Sequence, residues 1–377
     1  MTANKNDVIY DVHDKPPVGM WVGLSFQHLF AMFGATVLVP ILVGIDPAIA
    51  LFSSGLGTLA HLSVTKYKIP AYMGSSFAYI LAMQSLMKSD GIAAVAQGAV
   101  VGGFVYLLVA LIVKFVGKGW IDKVLPPIVV GPIVMVIGLS LAGTAVNDAM
   151  NKNGEYNLTF LMISLVTLFA VLAFNMFGKG LTSLIPILLG IIVGYVFTLI
   201  VQKITGTTII SFDEISKSAW LDVPKFDIMF VDYHFKLYPS AILTMAPIAF
   251  VTMTEHFGHV MVLNSLTGND YFKDPGLERT LTGDGIAQII AGFFGAPPVT
   301  SYGENIGVMA VTRVYSTIIF VVAGVFAVFL GLSPKFGAII HTIPSAILTG
   351  ASIVVFGLIT IAGAKIWIEN KVDFSKN

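Results

Sequence analysis

The chain has 377 residues, of which 56% are hydrophobic and 11% are charged, with a formal net charge of zero and no cysteine. Soluble domains carry about 25% charged residues, so this composition is typical of an integral membrane protein. The balanced charge, without a basic block, argues against nucleic acid as a partner, and the lack of cysteine excludes disulfides and cysteine-bound metals. The polar residues 1–19 do not resemble a signal peptide, so we expect the first span to direct insertion.

The apolar segments predict ten helices that are long enough to cross a bilayer, which takes about 20 residues each. In chain order they are 22–44, 47–64, 92–117, 124–142, 157–176, 182–202, 239–266, 282–296, 315–332 and 344–368. Two shorter segments, 72–87 and 300–312, are rich in Gly, Ser and Tyr and follow prolines, so we interpret them as broken crossings. An even total of crossings places both termini on the same side.

Lysine and arginine are distributed unevenly between the two sides of this predicted topology. Fourteen of the 21 lie in loops on the side of the N-terminus, and the others lie largely in the long loop 203–238. Cytoplasmic loops of membrane proteins are enriched in these residues. The pattern therefore predicts a multi-pass protein of the cell membrane with a cytoplasmic N-terminus, and the loop is interpreted as an outer connector.

Two stretches of the chain repeat the same pattern. Both 69-IPAYMGSSFAYI-80 and 296-APPVTSYGENI-306 contain proline, then small hydroxyl residues, then an aromatic residue. Aligning Phe77 with Tyr302 moves the spans 47–64, 92–117 and 124–142 onto three other predicted spans. The two halves would insert in opposite orientations, which is typical of secondary transporters that bind substrate where the repeats meet. The same alignment predicts that the second half ends two crossings short of the first.

Few ionisable residues lie deep within the predicted spans. Glu255, His256 and His259 share one span, Glu304 lies in the second broken crossing, and His28 lies in the first span. A charge at the bilayer centre costs from about 2.5 to more than 10 kcal/mol, so such groups face a cavity or a partner, or are neutral. A glutamate held neutral there can release its proton when the site opens to water, which would couple transport to protons.

The second broken crossing combines several kinds of recognition group. Its free backbone groups must face protein or a polar cavity, because lipid cannot pair with them. Tyr302, Gly303 and Glu304 would offer an aromatic face, a backbone N–H and a carboxylate. With Phe77 covering another face, this set suits a planar heterocycle that carries ring N–H donors beside C=O acceptors.

Structural interpretations of the same residues remain open. Glu304 could serve a helix terminus, Glu255 could make an interhelical hydrogen bond, His259 could brace a helix, and His28 could bind a neighbouring carbonyl. Asp284 is expected in the inner mouth of its span with a structural role. We expect His61 and His341 at the membrane interface, because both lie near span ends.

Five segments together resemble the nucleobase/ascorbate transporter family, also called the second nucleobase–cation symporter family, and especially its bacterial uracil permease branch. They are 27-QHLFAMFGATVLVP-40, 69-IPAYMGSSFAYI-80, 254-TEHFGH-259, 274-DPGLERTL-281 and 302-YGENIGVMAVTRVYS-316. The resemblance implies an all-α polytopic membrane protein, an inverted-repeat transporter of the seven-plus-seven type whose two broken spans form short paired strands. This chain would lack the last two C-terminal spans.

The resemblance also implies a division into a core and a gate. The core would comprise 1–118, with spans one to four, and 239–336, with spans eight to eleven. The gate would comprise 119–203, with spans five to seven, and 337–377, with span twelve and the shortened end. The segment 204–238 would be the outer loop, and a homodimer would form through the gate.

Functional residues of the family correspond to positions of this chain. The two substrate glutamates match Glu255 and Glu304, and the coupling histidine matches His259, with His28 as a lesser candidate. Further substrate contacts match Ala35, Phe77, Tyr302 and Gly303. Purine-transporting relatives typically carry glutamine at the position of Glu304, and Phe356 stands where uracil permeases can carry tyrosine.

These features together predict a proton-coupled symporter that imports uracil by alternating access. One alternative is a purine (xanthine or urate) permease of the same family. Another is an anion exchanger on the same fold, although that needs a positive site and the deep groups here are acidic. A channel or a membrane receptor is a further class. The spans show no nucleophile–base arrangement and no metal-ligand spacing, so we expect neither an enzyme nor a cofactor.

Overall fold

The computed structural model describes residues 8–117, 119–120, 126–152, 155–232 and 236–374, without the side chains of Leu181 and Glu369. Four lysines that contribute to the predicted charge bias lie outside these residues, as does the start of the predicted span 124–142. The lysines are Lys5, Lys118, Lys123 and Lys376.

The first half of the chain begins with two long helices and then breaks into a strand and a short helix. Its elements are α1 (Val18–Val43), α2 (Pro47–Val64), β1 (Met73–Ser75), a 3₁₀ turn (Phe77–Tyr79), α3 (Ile80–Ser89), α4 (Ile92–Val116), α5 (Pro127–Met150), β2 (Asn151–Lys152), β3 (Glu155–Tyr156), α6 (Leu158–Phe177), a 3₁₀ turn (Gly180–Ser183), α7 (Pro186–Thr205) and α8 (Asp213–Lys217). Asp46 begins α2, because its carboxylate accepts a hydrogen bond from the Ala48 amide at 2.8 Å. Asn157 begins α6 in the same way through the Phe160 amide.

The second half repeats this order. It contains α9 (Pro239–Thr267), a π-helical turn (Phe272–Gly276), α10 (Leu277–Phe293), β4 (Val299–Ser301), α11 (Gly303–Thr312), α12 (Thr317–Gly331), α13 (Pro334–His341) and α14 (Ser345–Glu369). The predicted span 282–296 is displaced, since α10 begins at Leu277 and ends at Phe293. The sequence window missed this start because charged residues occupy the first turn, where Glu278 lies.

The two broken crossings form short strands that pair with each other, as predicted. Strands β1 and β4 are antiparallel, with Met73 opposite Ser301, Gly74 opposite Thr300 and Ser75 opposite Val299. Each strand is followed by a short helix, α3 or α11. The offset that aligns the two stretches also carries α4 onto α12 and α13, which bend by 80° at their junction. The predicted order of a repeat is therefore confirmed.

Within the described residues, seven helices are long and apolar enough to cross a membrane, and α12 with α13 would make an eighth. The seven are α1, α2, α4, α5, α6, α7 and α14. Helix α9 has 29 residues, but it contains Glu255 and two histidines, which lower its hydropathy. Helix α10 has only 17 residues. Crossings by these two helices and by the broken segments remain predictions.

The chain forms two compact units, which we describe separately. Unit 1 comprises Met1–Lys118 and Ala219–Gly337. In it, α10 packs on α2 and α4, and α12 packs on α1 and α2. Helices α4 and α10 approach closely at Gly103 and Gly285, where a Cβ added to Gly103 would lie 2.5 Å from the Gly285 carbonyl oxygen. Small residues at such contacts permit tight packing in membranes.

Unit 2 comprises Gly119–Ser218 and Ala338–Asn377. Helix α14 packs on α5, α6 and α7, and α6 packs on α7. Ile163, Val171 and Ile347 are central to its apolar core. Phe356 is buried in this unit with 2% of its surface exposed.

Candidate ligand-binding site

The N-terminus of α11 is held in the interior of unit 1 by the strand pair. Tyr302 precedes the helix in an extended conformation, and Gly303 and Glu304 form its first turn. The first amides of a helix have no partner within the helix, and they carry partial positive charge. This end of α11 therefore places donors next to a carboxylate.

Glu255 on α9 and Glu304 on α11 lie near each other. The two carboxylates are close enough for electrostatic repulsion between them, and Glu255 also interacts electrostatically with Asp284. Glu255 is exposed and Glu304 is half-buried. Among the described residues, neither carboxylate has a cationic side chain within ion-pair distance. Two acidic groups therefore lie near each other, and neither forms an ion pair within the part of the chain that the structure describes.

His259 lies one helical turn after Glu255 and reaches the second broken crossing. Its Nδ1 is 3.0 Å from the Ser301 hydroxyl at the end of β4. Its Nε2 lies 3.1 Å from the position that a Cβ on Gly303 would occupy. A side chain at position 303 would press against the imidazole, so the glycine keeps the first amides of α11 accessible. His259 is therefore brought to the predicted site, while its proton-coupling role remains a prediction.

Tyr302 has its ring directed into the protein, with 5% of the residue exposed. Its hydroxyl donates to the Ser75 carbonyl oxygen at 2.7 Å and accepts from the Thr36 hydroxyl at 3.2 Å. The hydroxyl is thus occupied by protein partners. The predicted contact between its aromatic face and a substrate is limited to the small exposed part of the ring.

Ala35 and Phe77 lie on the two neighbouring elements. Ala35 is buried in the middle of α1, with 2% of its surface exposed. Phe77 begins the 3₁₀ turn after β1 and is half-buried. The amide before it, that of Ser76, donates to the Pro298 carbonyl oxygen at 2.9 Å, which ties this turn to the second broken crossing. Substrate contact at both positions remains a prediction.

His28 is buried between α1, α11 and α12. The Asn305 side-chain nitrogen donates to the His28 carbonyl oxygen at 2.9 Å and lies 3.1 Å from its Nδ1. Because the carbonyl can only accept, this amide orientation is fixed, and Nδ1 must accept as well. The His28 ring also packs on Phe320 at 4.4 Å between centroids. These contacts favour the structural interpretation of His28, while a role in proton coupling remains a prediction.

A second acidic group is enclosed by histidines. Asp284 is fully buried, with His61 Nδ1 at 3.0 Å from one carboxylate oxygen and His256 Nδ1 at 2.9 Å from the other. The side chains of His61 and Asp284 are therefore fully enclosed by protein. Their expected positions relative to the membrane, at the interface and in a span mouth, stay predictions. His341 is exposed, in line with its position near a span end.

Sequence reasoning missed three polar partners of the site. Thr36, Ser75 and Asn305 are all buried and hydrogen-bonded to Tyr302 or His28. Thr36 and Asn305 are adjacent to the predicted Ala35 and Glu304, and Ser75 lies two residues before the predicted Phe77. Their signal was only adjacency, because a buried hydroxyl or amide in a span can pair with many partners.

Comparison with known proteins supports this description. A sequence model of the Permease family, for xanthine and uracil permeases, matches residues 19–377. The chain is 46% identical to the uracil permease of Bacillus caldolyticus over 98% of its own length and 85% of that protein. It is 45% identical to the uracil permease of Bacillus subtilis (strain 168) over 99% of its length and 86% of that protein.

The fold is also similar to that of a solved transporter. The transmembrane domain of the cyanobacterial bicarbonate transporter BicA superposes with a TM-score of 0.67 over 95% of each chain. Its sequence identity of 13% makes this a likeness of fold alone. The predicted fold class, a helical membrane protein of the inverted-repeat type, is confirmed. By its sequence match and its relatives, the chain belongs to the nucleobase/ascorbate transporter family of permeases.

Proposed function

We propose that this protein imports uracil across the cell membrane as a proton-coupled symporter. The observation that carries the proposal is that α9, which carries Glu255, packs in unit 1 on α11, whose first turn carries Glu304. Relatives that are 45% and 46% identical are named uracil permeases. The family is one of permeases, and no enzymatic chemistry is proposed.

The chemistry of the site suits uracil. Uracil is flat and carries two ring N–H donors and two carbonyl acceptors. Carboxylates accept from N–H groups in strong, charge-assisted hydrogen bonds. The first amides of α11 can donate to a carbonyl oxygen, and Phe77 can cover a face of the ring. Xanthine shares the N–H and C=O groups, but it needs a larger opening and remains the alternative substrate.

Proton coupling follows from the repulsion between the two carboxylates. With both ionised, the pair is unfavourable because like charges repel, and a proton on one of them relieves the repulsion. A substrate that donates hydrogen bonds would therefore bind while one of the two carboxylates carries a proton. His259, which reaches Ser301 and Gly303, could pass or stabilise the proton.

Alternating access would assign different roles to the two units. Unit 1 carries every proposed substrate contact, so it would act as the core, and unit 2 would act as the gate. The N-terminus would be cytoplasmic, following the Lys and Arg bias of the loops. A homodimer of such proteins is a further part of the proposal.

Vesicle transport tests this function. Purified protein in vesicles with an internal pH indicator should take up protons when uracil is added outside, and should accumulate labelled uracil when the outside is acidified. Protein-free vesicles and vesicles that carry the Glu304→Gln variant are the controls. Uracil uptake that ignores the proton gradient would contradict coupling, and xanthine uptake that exceeds uracil uptake would contradict the substrate.

A further inference from the structure

The hydroxyl of Tyr302 joins three separate segments of unit 1. It donates to the Ser75 carbonyl oxygen at 2.7 Å, on β1. It accepts from the Thr36 hydroxyl at 3.2 Å, on α1. The Tyr302 amide also donates to the Tyr72 carbonyl oxygen at 3.0 Å. One side chain thereby connects the start of α11 to both α1 and the first broken crossing.

Each of these segments carries a proposed substrate contact. Ala35 immediately precedes Thr36, Phe77 follows Ser75 by two residues, and Gly303 immediately follows Tyr302. The contacts belong to three elements that are far apart in the chain, and a binding site of this kind requires its parts to be held to within about 0.5 Å. The Tyr302 hydroxyl lies where all three can be held at once.

The ring of Tyr302 has little freedom to move. A Cβ added to Gly74 would lie 2.5 Å from its Cζ and 2.8 Å from the Thr36 hydroxyl oxygen. Only a glycine at this place in β1 lets the ring pass to Ser75. Thr36 is fully buried and Tyr302 is 5% exposed. The Tyr302 hydroxyl has a single hydrogen, which it already donates to the Ser75 carbonyl oxygen.

We propose that Tyr302 is a positioning residue, which acts through its hydroxyl to hold Ala35, Phe77 and the Gly303 amide at the spacing that the substrate requires. This inference rests on the proposed function, and it assigns Tyr302 a role other than that of an aromatic surface for the substrate. Thr36 and Gly74 support the same arrangement, because Thr36 donates a hydrogen bond to the Tyr302 hydroxyl and Gly74 leaves room for the Tyr302 ring.

The test is equilibrium binding of uracil to purified Tyr302→Phe and Thr36→Val proteins. Tyr302→Phe keeps the ring and removes the hydroxyl, and it should weaken binding about tenfold, as loss of a buried hydrogen bond that orders a site does. Thr36→Val should weaken binding by a similar factor, and Thr36→Ser should restore it. The double variant should bind no more than about threefold more weakly than either single variant, because the two changes break one network.

The control is Tyr195→Phe. The Tyr195 hydroxyl lies 2.8 Å from the Thr342 hydroxyl in unit 2, which carries no proposed substrate contact. Both phenylalanine variants should lower the melting temperature by similar amounts, whereas only Tyr302→Phe should weaken binding. A merely structural hydroxyl would lower both melting temperatures and leave the affinity of either variant unchanged.

The outcomes separate this inference from the proposed function. If the unaltered protein binds uracil and Tyr302→Phe binds it equally well, the positioning role is wrong and the function stands. If the unaltered protein does not bind uracil, the proposed function is wrong. Thermal unfolding of the same variants then tests whether Tyr302 and Thr36 form one hydrogen-bond network. Additive changes in melting temperature for Tyr302→Phe and Thr36→Val would refute that network.

Discussion

Unit 1 holds its deep carboxylates in two contrasting ways. Asp284 is fully buried, and each of its oxygens faces an imidazole nitrogen, from His61 at 3.0 Å and from His256 at 2.9 Å. Glu255 and Glu304 lie near each other and lack a cationic partner among the described residues. Yet Asp284 and Glu255 are close enough for their charges to interact.

Under the proposed function, one helical unit separates the acids that stabilise the fold from the acids that bind substrate. A buried charge that already has partners is part of the fold, and removing one partner leaves an uncompensated group. Carboxylates that lack partners retain their capacity for an incoming donor. The two kinds of acid should therefore respond differently to the same Asp-to-Asn or Glu-to-Gln exchange.

The largest expected effect is on stability, from Asp284→Asn. Loss of the charge between two buried imidazoles should lower the free energy of unfolding by about 3 kcal/mol. Asp148→Asn, at an exposed position of α5, should leave it nearly unchanged. Thermal unfolding in detergent measures both. A melting temperature for Asp284→Asn equal to that of the unaltered protein would remove the distinction between the two kinds of acid.

The next effect is on affinity, and it can be measured without altering the protein. Methylation of uracil at N1 or at N3 removes one ring N–H, and each derivative should bind about a hundredfold more weakly, because a carboxylate is left unpaired. Uracil substituted with fluorine at C5 keeps both donors and should bind within about tenfold of uracil. Competition against labelled uracil gives the series. If the methylated forms bound as tightly as uracil, the carboxylates would not be accepting hydrogen bonds from the ring nitrogens.

A smaller effect is expected from Phe77→Ala, which tests the uncharged side of the site. Loss of the ring face should weaken uracil binding about tenfold. Phe52→Ala is the control, because this half-buried ring packs on Phe226 and Phe294 and lies on α2. Phe52→Ala should destabilise the protein without changing its affinity for uracil. Equal losses of affinity in the two variants would assign the effect of Phe77 to general packing.

The smallest effect concerns a third kind of acid, in the loop before α9. Burial, and then repulsion from Asp232, raise the pKa of Asp227. The ionised form therefore destabilises the folded loop, and folding becomes more favourable as the pH falls through the raised pKa. Asp227→Asn should raise the melting temperature slightly at neutral pH, with a difference that shrinks on acidification. A lower melting temperature at every pH would contradict this sign.

Much of the fold could be predicted from the sequence, because bilayer-length apolar runs specify helices directly. Span 47–64 matches α2 at both ends, and the proline-bounded segments 72–87 and 300–312 each contain a short strand followed by a short helix. The boundaries failed at α10, where a charged first turn concealed the start.

The polar interior was less predictable. His61 lies near the end of α2, which suggested the interface, yet a partner 223 positions away in the chain encloses it. Such pairings depend on how α2, α9 and α10 pack, and a single sequence does not encode them in any local pattern. Glu255 and Glu304 could be singled out as candidate site residues because a carboxylate within an apolar span needs an explanation, whatever its neighbours.

The most direct test of the central claim is a calorimetric titration of uracil into purified protein, with Glu304→Gln and Glu278→Gln alongside. Glu278 is a matched control, because it is also a half-buried glutamate in the first turn of a helix. The account predicts uracil binding by the unaltered protein and by Glu278→Gln, and a loss of about a hundredfold in Glu304→Gln. Equal affinity of the two variants would contradict it.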